Sequence, residues 1–265
     1  MAEAELPSVS VRFYAELNDH LPREDRQRER PFRFVGRNTA KDAIEAFGVP
    51  HVEVDLIVVN GRSVDFAYRL RDGDRISVYP VFESLDLSPL VRLQDRPLRN
   101  PCFVADVHLR KLARWLRLLG FDTAYSDTAT DAALAASCGT GGRILLTRDR
   151  ELLKRRAVTH GYWVRNTDPV EQTIEVMRRF DLAGNSARYT RCATCNEAII
   201  AVDKADVATL IPPRTAAWLD EYFRCTGCGK LYWRGTHVPK IDAVIDHILE
   251  RCATGESRSS GCSDR

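Results

Sequence analysis

Apolar and polar residues alternate along the first third of the chain, which is the pattern of half-buried β-strands. The strands that this alternation predicts span residues 8–17, 32–35 and 75–82. Between them, Thr39 predicts the N-terminal cap of a short helix that ends near Phe47. The Asn60-Gly61 dipeptide between two apolar runs predicts a tight hairpin. The N-terminal part of the chain is therefore expected to form a small sheet with one helix.

This order of hairpin, helix and further strands resembles the β-grasp fold of ubiquitin-like domains, especially that of sulfur-carrier proteins. Those carriers end in an exposed Gly-Gly whose carboxylate is activated, whereas here the chain continues past the last strand through Phe82-Glu83-Ser84. We therefore interpret residues 1–84 as a β-grasp domain that binds or positions a partner, and sulfur transfer as a disfavoured alternative. Residues 85–100 contain two prolines and no sustained period, so they predict a linker.

From residue 101 the pattern changes to short apolar runs, each followed by a helical period. Four such strand-helix units follow one another up to about residue 185, with strands at CFVA, FDTAY, RILLT and GYWVR. Repeated units of this kind predict a parallel sheet covered by helices, and hence an α/β fold. The first helix, predicted at residues 108–119, has leucines on one face and Arg110, Arg114 and Arg117 on another. The fourth helix is predicted to open with a full capping box at Asp168.

Two cysteine pairs follow, each with two intervening residues: Cys192 and Cys195, then Cys225 and Cys228. Paired cysteines of this spacing aim their sulfurs at one tetrahedral Zn²⁺, so they predict a structural zinc ribbon. Two disulfides or a redox pair are the alternatives. Four thiolates leave no open position on the metal, so the ribbon itself is not expected to catalyse a reaction. A closing helix is predicted at about residues 241–252, which completes a segment of residues 186–252, and a disordered tail is predicted at 253–265.

Composition limits the cellular setting more than the function. The chain has 265 residues, 44% of them hydrophobic and 29% charged, which is typical of a soluble protein with two or more compact units. No apolar run is long enough to span a membrane, and the N-terminus does not resemble a secretory signal. With metal-type cysteine pairs, these features predict a cytoplasmic protein. The net charge of +2 does not by itself predict a nucleic-acid partner.

Aspartates stand where the predicted parallel strands end. Asp106, Asp127 and Asp149 follow the first three strands, and Asp131 lies in the first turn of the second helix. The carboxyl ends of parallel strands form the crevice in which such sheets bind ligands. Carboxylates gathered there suit Mg²⁺ or Mn²⁺, which activates a water and neutralises charge on a phosphodiester. Three of these aspartates also have a purely structural alternative, since Asp106 and Asp149 can be helix caps and Asp131 the partner of a Thr128 cap.

Basic residues surround the same predicted crevice. Arg148 and Arg150 flank Asp149, and the first helix carries Arg110 and Arg114. Arginines beside an acidic metal site are suited to positioning a phosphate backbone. The alternative is an ordinary solvated helix surface.

Four separated motifs then occur in order: FVADVHLRKLARWLRLLGFD, ILLTRDRELL, RCATCN and CTGCGKLYWRGTH. Together they resemble the Mut7-C RNase family over about residues 101–245, and the N-terminal part resembles the ubiquitin-like domain often fused ahead of it. The resemblance implies a PIN-like nuclease fold at residues 101–185 with a zinc ribbon. It also implies a metal-dependent ribonuclease whose acids match Asp106, Asp131 and Asp149, with Asp127 less defined. The family's further acid on an intervening helix has no evident counterpart here.

These observations lead to one expectation and a rival. The expectation is a cytoplasmic ribonuclease in which Asp106, Asp131 and Asp149 hold Mg²⁺ or Mn²⁺, Asp127 assists, and Arg110, Arg114 and Arg148 hold RNA phosphates. Its RNA could be tRNA, rRNA or ribosome-associated, and its β-grasp domain could bind a protein partner. The rival is a non-catalytic adaptor that binds RNA or a ribosome and keeps a degenerate PIN-like site.

Overall fold

The computed structural model describes residues 6–80, 101–139 and 142–254. The predicted linker at 85–100 and the predicted tail from residue 255 onward lie outside these residues. The chain divides into two compact units, the first comprising Met1–Asp106 and Ala129–Trp163, the second Val107–Thr128 and Val164–Arg265. Among the described residues, no helix combines the length and the apolar character that crossing a bilayer demands.

The described elements mix strands and helices along the chain. In chain order the strands are β1 Ser8–Phe13, β2 Arg30–Arg33, β3 Val54–Val59, β4 Arg62–Val64, β5 Arg75–Pro80, β6 Phe103–Ala105, β7 Thr123–Tyr125, β8 Ile144–Thr147, β9 Gly161–Trp163, β10 Ile199–Val202, β11 Tyr222–Cys225 and β12 Leu231–Trp233. The α-helices are α1 Ala40–Ala46, α2 Arg110–Leu118, α3 Asp131–Gly139, α4 Arg150–Leu153, α5 Pro169–Arg179, α6 Lys204–Val207, α7 Pro213–Ala216 and α8 Val238–Ala253.

The N-terminal sheet has the strand order β2-β1-β5-β3-β4. Strands β1 and β5 pair in parallel at its centre, and the other neighbours are antiparallel, which is the β-grasp arrangement. Thr39 caps α1 through a full capping box with Asp42, as its position in the sequence predicted. Asn60 and Gly61 both have positive φ, 49° and 82°, because the tight turn between β3 and β4 demands it.

Sequence patterning placed the end of the first strand too late. Strand β1 ends at Phe13 rather than near residue 17, because Ala15 takes a positive φ of 47° and the chain enters a 3-10 turn, Ala15–His20. Leu17 of that turn is fully buried in the β-grasp core. Its apolar side chain continued the alternation and extended the predicted strand.

The first unit also contains a parallel arrangement of β6, β8 and β9, with β8 in the middle. Residues 144–147 of β8 are buried on both faces, as expected for a central parallel strand. Helix α4 is a short helix that ends at Leu153. Helix α3 begins at Asp131, and the Thr130 hydroxyl accepts from the Ala133 amide at 3.3 Å, so Thr128 is not its cap.

In the second unit, helices α2 and α8 both pack against α5. The α2 leucines predicted to share an apolar face are buried, as are the flanking leucines at 109 and 119. Asp168 caps α5 by accepting from two backbone amides, but Glu171 does not complete the predicted box. Its carboxylate instead pairs with Arg251 of α8 at 3.0 Å. The three antiparallel strands β10, β11 and β12 form the ribbon sheet that follows.

Candidate functional site

The four paired cysteines converge in the second unit. Their sulfurs all lie within 4.8 Å of one another, and the described residues form no other group of three or more such ligands. Cys192 and Cys228 sulfurs are 3.7 Å apart, and those of Cys195 and Cys225 are 3.3 Å apart. Zn–S bonds of about 2.3 Å in a tetrahedron put sulfurs roughly 3.8 Å apart. The donor set therefore fits a zinc ribbon, as the spacing predicted.

The surroundings of Cys192 favour the thiolate that a metal requires. Burial opposes ionisation of its thiol, but hydrogen bonds from Tyr232 and from the backbone of Cys195 and Thr194 lower the pKa to about 6. The Tyr232 hydroxyl lies 3.0 Å from the Cys192 sulfur. At Cys225 burial has the larger effect and raises the pKa of the thiol to about 12, although backbone hydrogen bonds from Cys228 and Gly227 act in the opposite direction. Four sulfurs this close share their protons, and a bound cation would displace them.

Arg117 holds the first cysteine turn from helix α2. Its Nε donates to the Thr123 carbonyl at 2.8 Å, and its Nη1 donates to the carbonyls of Ala193 at 3.3 Å and Thr194 at 2.9 Å. Burial lowers the pKa of this guanidinium. Arg117 is thus buried and structural, unlike the exposed Arg110 and Arg114 with which the sequence pattern grouped it.

Two of the predicted acids meet around the hydroxyl of Thr147. This hydroxyl donates to Asp106 Oδ2 at 2.6 Å and accepts from the backbone amide of Asp149 at 2.9 Å. Asp106 and Thr147 are buried, while Asp149 is exposed. The link lies at the carboxyl ends of the adjacent parallel strands β6 and β8, where the sequence placed these acids. Thr147 was not itself predicted to matter, although it stands two residues before Asp149 in the sequence.

Asp149 also caps a helix. Its Oδ1 accepts from the Glu151 amide at 2.8 Å, as one alternative for this residue predicted. Its Oδ2 has no hydrogen-bond partner within the part of the chain that the structure describes. One carboxylate oxygen is therefore committed to the fold of α4, while the other remains available.

The other two predicted acids lie elsewhere. Asp131 is half exposed and pairs with Arg155 at 2.8 Å. Asp127 is exposed in the loop after β7 and lines a cleft of the second unit. No three of the aspartates form a ligand group among the described residues.

The arginines predicted to bind phosphate differ in what surrounds them. Arg110 and Arg114 are exposed on α2 and line the same cleft as Asp127. Arg148 is exposed, and its carbonyl accepts from the Trp163 indole at 3.2 Å.

The β-grasp part of the first unit contacts strand β9 through two buried ionisable residues. His20 Nε2 and Glu53 Oε2 are 2.7 Å apart, and both side chains are almost fully buried. The other oxygen of Glu53 accepts from the Trp163 amide at 2.6 Å. Arg150, which the sequence grouped with the basic residues, donates to the His20 carbonyl at 3.0 Å and lies over the Trp163 ring. The Arg150 guanidinium is therefore engaged in contacts within the first unit.

Comparison with known proteins bears on both parts of the chain. A family model described as the Mut7-C RNAse domain matches residues 101–245, and one described as Mut7-C ubiquitin matches residues 6–86. Searches of curated proteins and of solved structures return no significant match. The two family models lie in the order that the sequence motifs predicted. The first covers more than half of the chain and includes the four paired cysteines and the four aspartates predicted as site residues, so this chain belongs to the Mut7-C RNase domain family and carries the Mut7-C ubiquitin domain ahead of it.

Proposed function

We propose that this protein is a metal-dependent ribonuclease that hydrolyses RNA phosphodiester bonds. The observation that carries the proposal is the Thr147 hydroxyl, which ties Asp106 to Asp149 at the carboxyl ends of two parallel strands. That edge of a sheet is where α/β proteins place their ligand sites. Membership of a family described by an RNase domain supports the same reaction.

In this proposal the metal in the ribbon is Zn²⁺, held by Cys192, Cys195, Cys225 and Cys228. Four sulfur donors at these separations suit zinc better than a hard cation. A four-cysteine site has no open coordination position. The zinc therefore maintains the ribbon fold, and hydrolysis depends on other residues.

Asp106, Asp131 and Asp149 are the proposed ligands of Mg²⁺ or Mn²⁺, with Asp127 assisting. The hard oxygens of these side chains suit such an ion, which when bound supplies an activated water and neutralises phosphate charge. Asp131 would have to leave Arg155. That ion pair is solvent-exposed, so its loss costs only about 0–1 kcal/mol.

RNA is the proposed partner, with Arg110, Arg114 and Arg148 contacting its phosphates. All three side chains are exposed. We place the protein in the cytoplasm and assign the β-grasp domain to binding a protein or RNA partner, since its chain does not end in the Gly-Gly of sulfur carriers. Binding to tRNA, rRNA or a ribosome belongs to the same proposal.

The second candidate is a non-catalytic adaptor that binds RNA or a ribosome. The dispersal of the aspartates favours it, because no three of them form a ligand group among the described residues. Under this candidate the acids act as caps and surface ion partners, as Asp149 and Asp131 do. The two candidates differ in one observable, which is cleavage.

A cleavage assay on total cellular RNA with added Mn²⁺ separates them. Asp149→Asn should lower the cleavage rate by about 100-fold, because it replaces a charged ligand with a neutral amide. Asp168→Asn is the matched control, since Asp168 is also a helix cap and asparagine caps equally well. Equal rates for the parent and both variants would exclude the proposed mechanism. RNA binding without Mn²⁺-dependent cleavage would favour the adaptor.

A further inference from the structure

A cleft of about 1000 Å³ lies wholly within the second unit, between helix α2 and the ribbon sheet. Seven arginine and lysine side chains line it, against one carboxylate, that of Asp127, among the described residues. Such an imbalance creates a positive potential, which attracts an anionic ligand. The volume is at the upper end of the roughly 300–1,000 Å³ of small-ligand pockets, so it has room for more than a single ion.

The cations of this cleft divide into those that support the fold and those that do not. Arg188 and Arg191 are paired with aspartates of the same unit, at 2.6 and 3.5 Å. By contrast, Arg110, Arg114 and Arg234 make no ion pair and no hydrogen bond with the described residues. All three are exposed side chains. Their guanidinium groups are therefore available for an external anion with several negative charges.

The ribbon sheet gives the cleft an apolar floor. Phe223 of β11 stands opposite Ala201 of β10 and Tyr232 of β12 in the strand register, and all three side chains line the cleft. Phe223 is half-buried, and its ring contacts no other aromatic ring of the described residues. Tyr232 is already committed to the Cys192 sulfur. Phe223 is thus a flat aromatic surface on the lining that is available to a ligand.

We propose that this cleft binds single-stranded RNA. Arg110, Arg114 and Arg234 hold successive phosphates, and a base stacks on Phe223. Unpaired guanidinium groups around an aromatic platform are the combination by which proteins bind single strands, whereas an acidic peptide would leave the platform unused. The inference rests on the proposed function for the identity of the ligand as RNA. It extends that function by adding the zinc ribbon to the binding surface, with Asp127 on the lining.

The first test measures binding of the full-length protein to a fluorescently labelled oligouridine of about 12 nucleotides, without added Mg²⁺ or Mn²⁺. Fluorescence anisotropy gives the Kd at several salt concentrations. Arg114→Ala and Arg234→Ala should each lower the salt slope by about 0.7 and weaken binding about fivefold near 0.1 M salt, because each removes one phosphate contact. Arg214→Ala is the matched control, since Arg214 is exposed in the same unit but outside the cleft.

The second test separates stacking from charge. Phe223→Leu keeps an apolar side chain in the ribbon but removes the flat ring, so affinity should fall about fivefold or more with an unchanged salt slope. Phe223→Tyr should bind as the parent does. A duplex of the same length should bind at least about fivefold more weakly, because its bases are already stacked. Zinc content and circular dichroism of each variant check that the ribbon is folded.

The outcomes distinguish this proposal from the proposed catalysis. If the parent binds the RNA but Arg114→Ala and Arg234→Ala behave like Arg214→Ala, the cleft proposal is wrong, even where RNA is cleaved. The cleft proposal would also be wrong if the parent did not bind the oligonucleotide, or if polyglutamate displaced the labelled oligouridine as effectively as unlabelled oligouridine does. If the cleft variants lose binding while the parent cleaves nothing with Mn²⁺, the cleft proposal stands and the catalytic one fails.

Discussion

At the scale of single residues, the Thr147 side chain links two of the predicted acids, Asp106 and Asp149. A buried carboxylate is costly unless it is hydrogen-bonded, and the Thr147 hydroxyl satisfies Asp106 at 2.6 Å. The same hydroxyl oxygen accepts a hydrogen bond from the Asp149 amide and so stabilises the turn that carries the Asp149 carboxylate. One hydroxyl thus contributes both to the stability of the first unit and to the geometry of the candidate site.

Replacing Thr147 with valine tests this dual role. Thr147→Val has nearly the same shape but cannot hydrogen-bond, so we expect a loss of about 1–3 kcal/mol in the free energy of unfolding. The measurement is the shift of the urea midpoint. Thr147→Ser retains the hydroxyl and loses one methyl group, which costs about 1 kcal/mol. RNA cleavage should fall for valine and not for serine. A serine variant that loses as much activity as the valine variant would contradict the assigned role.

Gly120 illustrates how closely one segment approaches another. It follows the C-terminal end of helix α2 with a φ of +97°, and a Cβ atom there would overlap the carbonyl oxygen of Ala187. That carbonyl cannot move freely, because the amide of the same residue donates a hydrogen bond to the Leu119 carbonyl at 2.9 Å. Gly120 is therefore required both for its backbone conformation and for the absence of a side chain.

Gly120→Ala should consequently destabilise the second unit by more than the strain of an alanine at positive φ alone. We expect a loss of more than about 2 kcal/mol in the free energy of unfolding, read from thermal or urea denaturation. Gly73→Ala is the control, since Gly73 has a φ of +78° with open space around it, and it should cost about 1–2 kcal/mol. Similar losses for the two variants would show that the contact with Ala187 does not matter.

At the scale of elements, helix α2 and the first cysteine turn are joined through Arg117. The guanidinium fork donates to two carbonyls of the turn and to one of the chain after α2. Because the Arg117 side chain is buried, removing its donors would be costly. The turn that presents Cys192 and Cys195 is thereby positioned by a helix far away in sequence.

Loss of this fork should loosen the metal. Arg117→Met fills similar space without donating hydrogen bonds, so we expect zinc release to a chelator to accelerate by about 10-fold or more, in line with the loss of a group that orients metal ligands. Release is followed with a colorimetric zinc indicator. Arg114→Met, on the exposed face of the same helix, is the matched control and should release zinc at the parental rate. Unchanged release from Arg117→Met would show that the ribbon positions its cysteines unaided.

At the scale of the whole molecule, the chain consists of two compact units with different sources of stability. The first has an extended apolar core between the β-grasp sheet and helix α1. The ribbon of the second has a small apolar cluster of buried residues, Val207, Ile211 and Tyr222, with a few half-buried neighbours. A core of that size contributes little stability, so the ribbon depends on its metal.

Removing one zinc ligand should therefore act locally. In Cys225→Ser, bound zinc should fall from about one per chain to near none, and amide hydrogen exchange should rise across residues 192–233. Exchange in strands β1–β5 should stay slow. Cys252→Ser is the control, because Cys252 lies outside the metal group, and it should change neither property. Retained zinc, or exchange that rises equally in both units, would contradict the assignment of the ribbon's stability to the metal.

Local chemistry was sufficient to predict most of the elements. Capping at Thr39, the hairpin at Asn60-Gly61 and the leucine face of α2 depend on residues within a few positions of one another, and each was predicted correctly. The errors share a different cause. The partner that Glu171 found in Arg251 and the burial of Arg117 depend on residues from other elements. Beyond the early end of β1, Leu17 is buried in the β-grasp core rather than in the strand that its alternation predicted.

The sequence by itself determined the fold class and the cysteine set, because spacing and periodicity express constraints between near neighbours. The family followed from the resemblance of four sequence motifs to it. Only the tertiary structure decided which side chains meet. It joined Asp106 to Asp149 through a threonine, engaged Asp131 with Arg155, and enclosed the exposed α2 arginines and Phe223 in one cleft. Those contacts depend on how distant segments pack against one another, and a hydrogen bond or ion pair between them has no signature in local patterning.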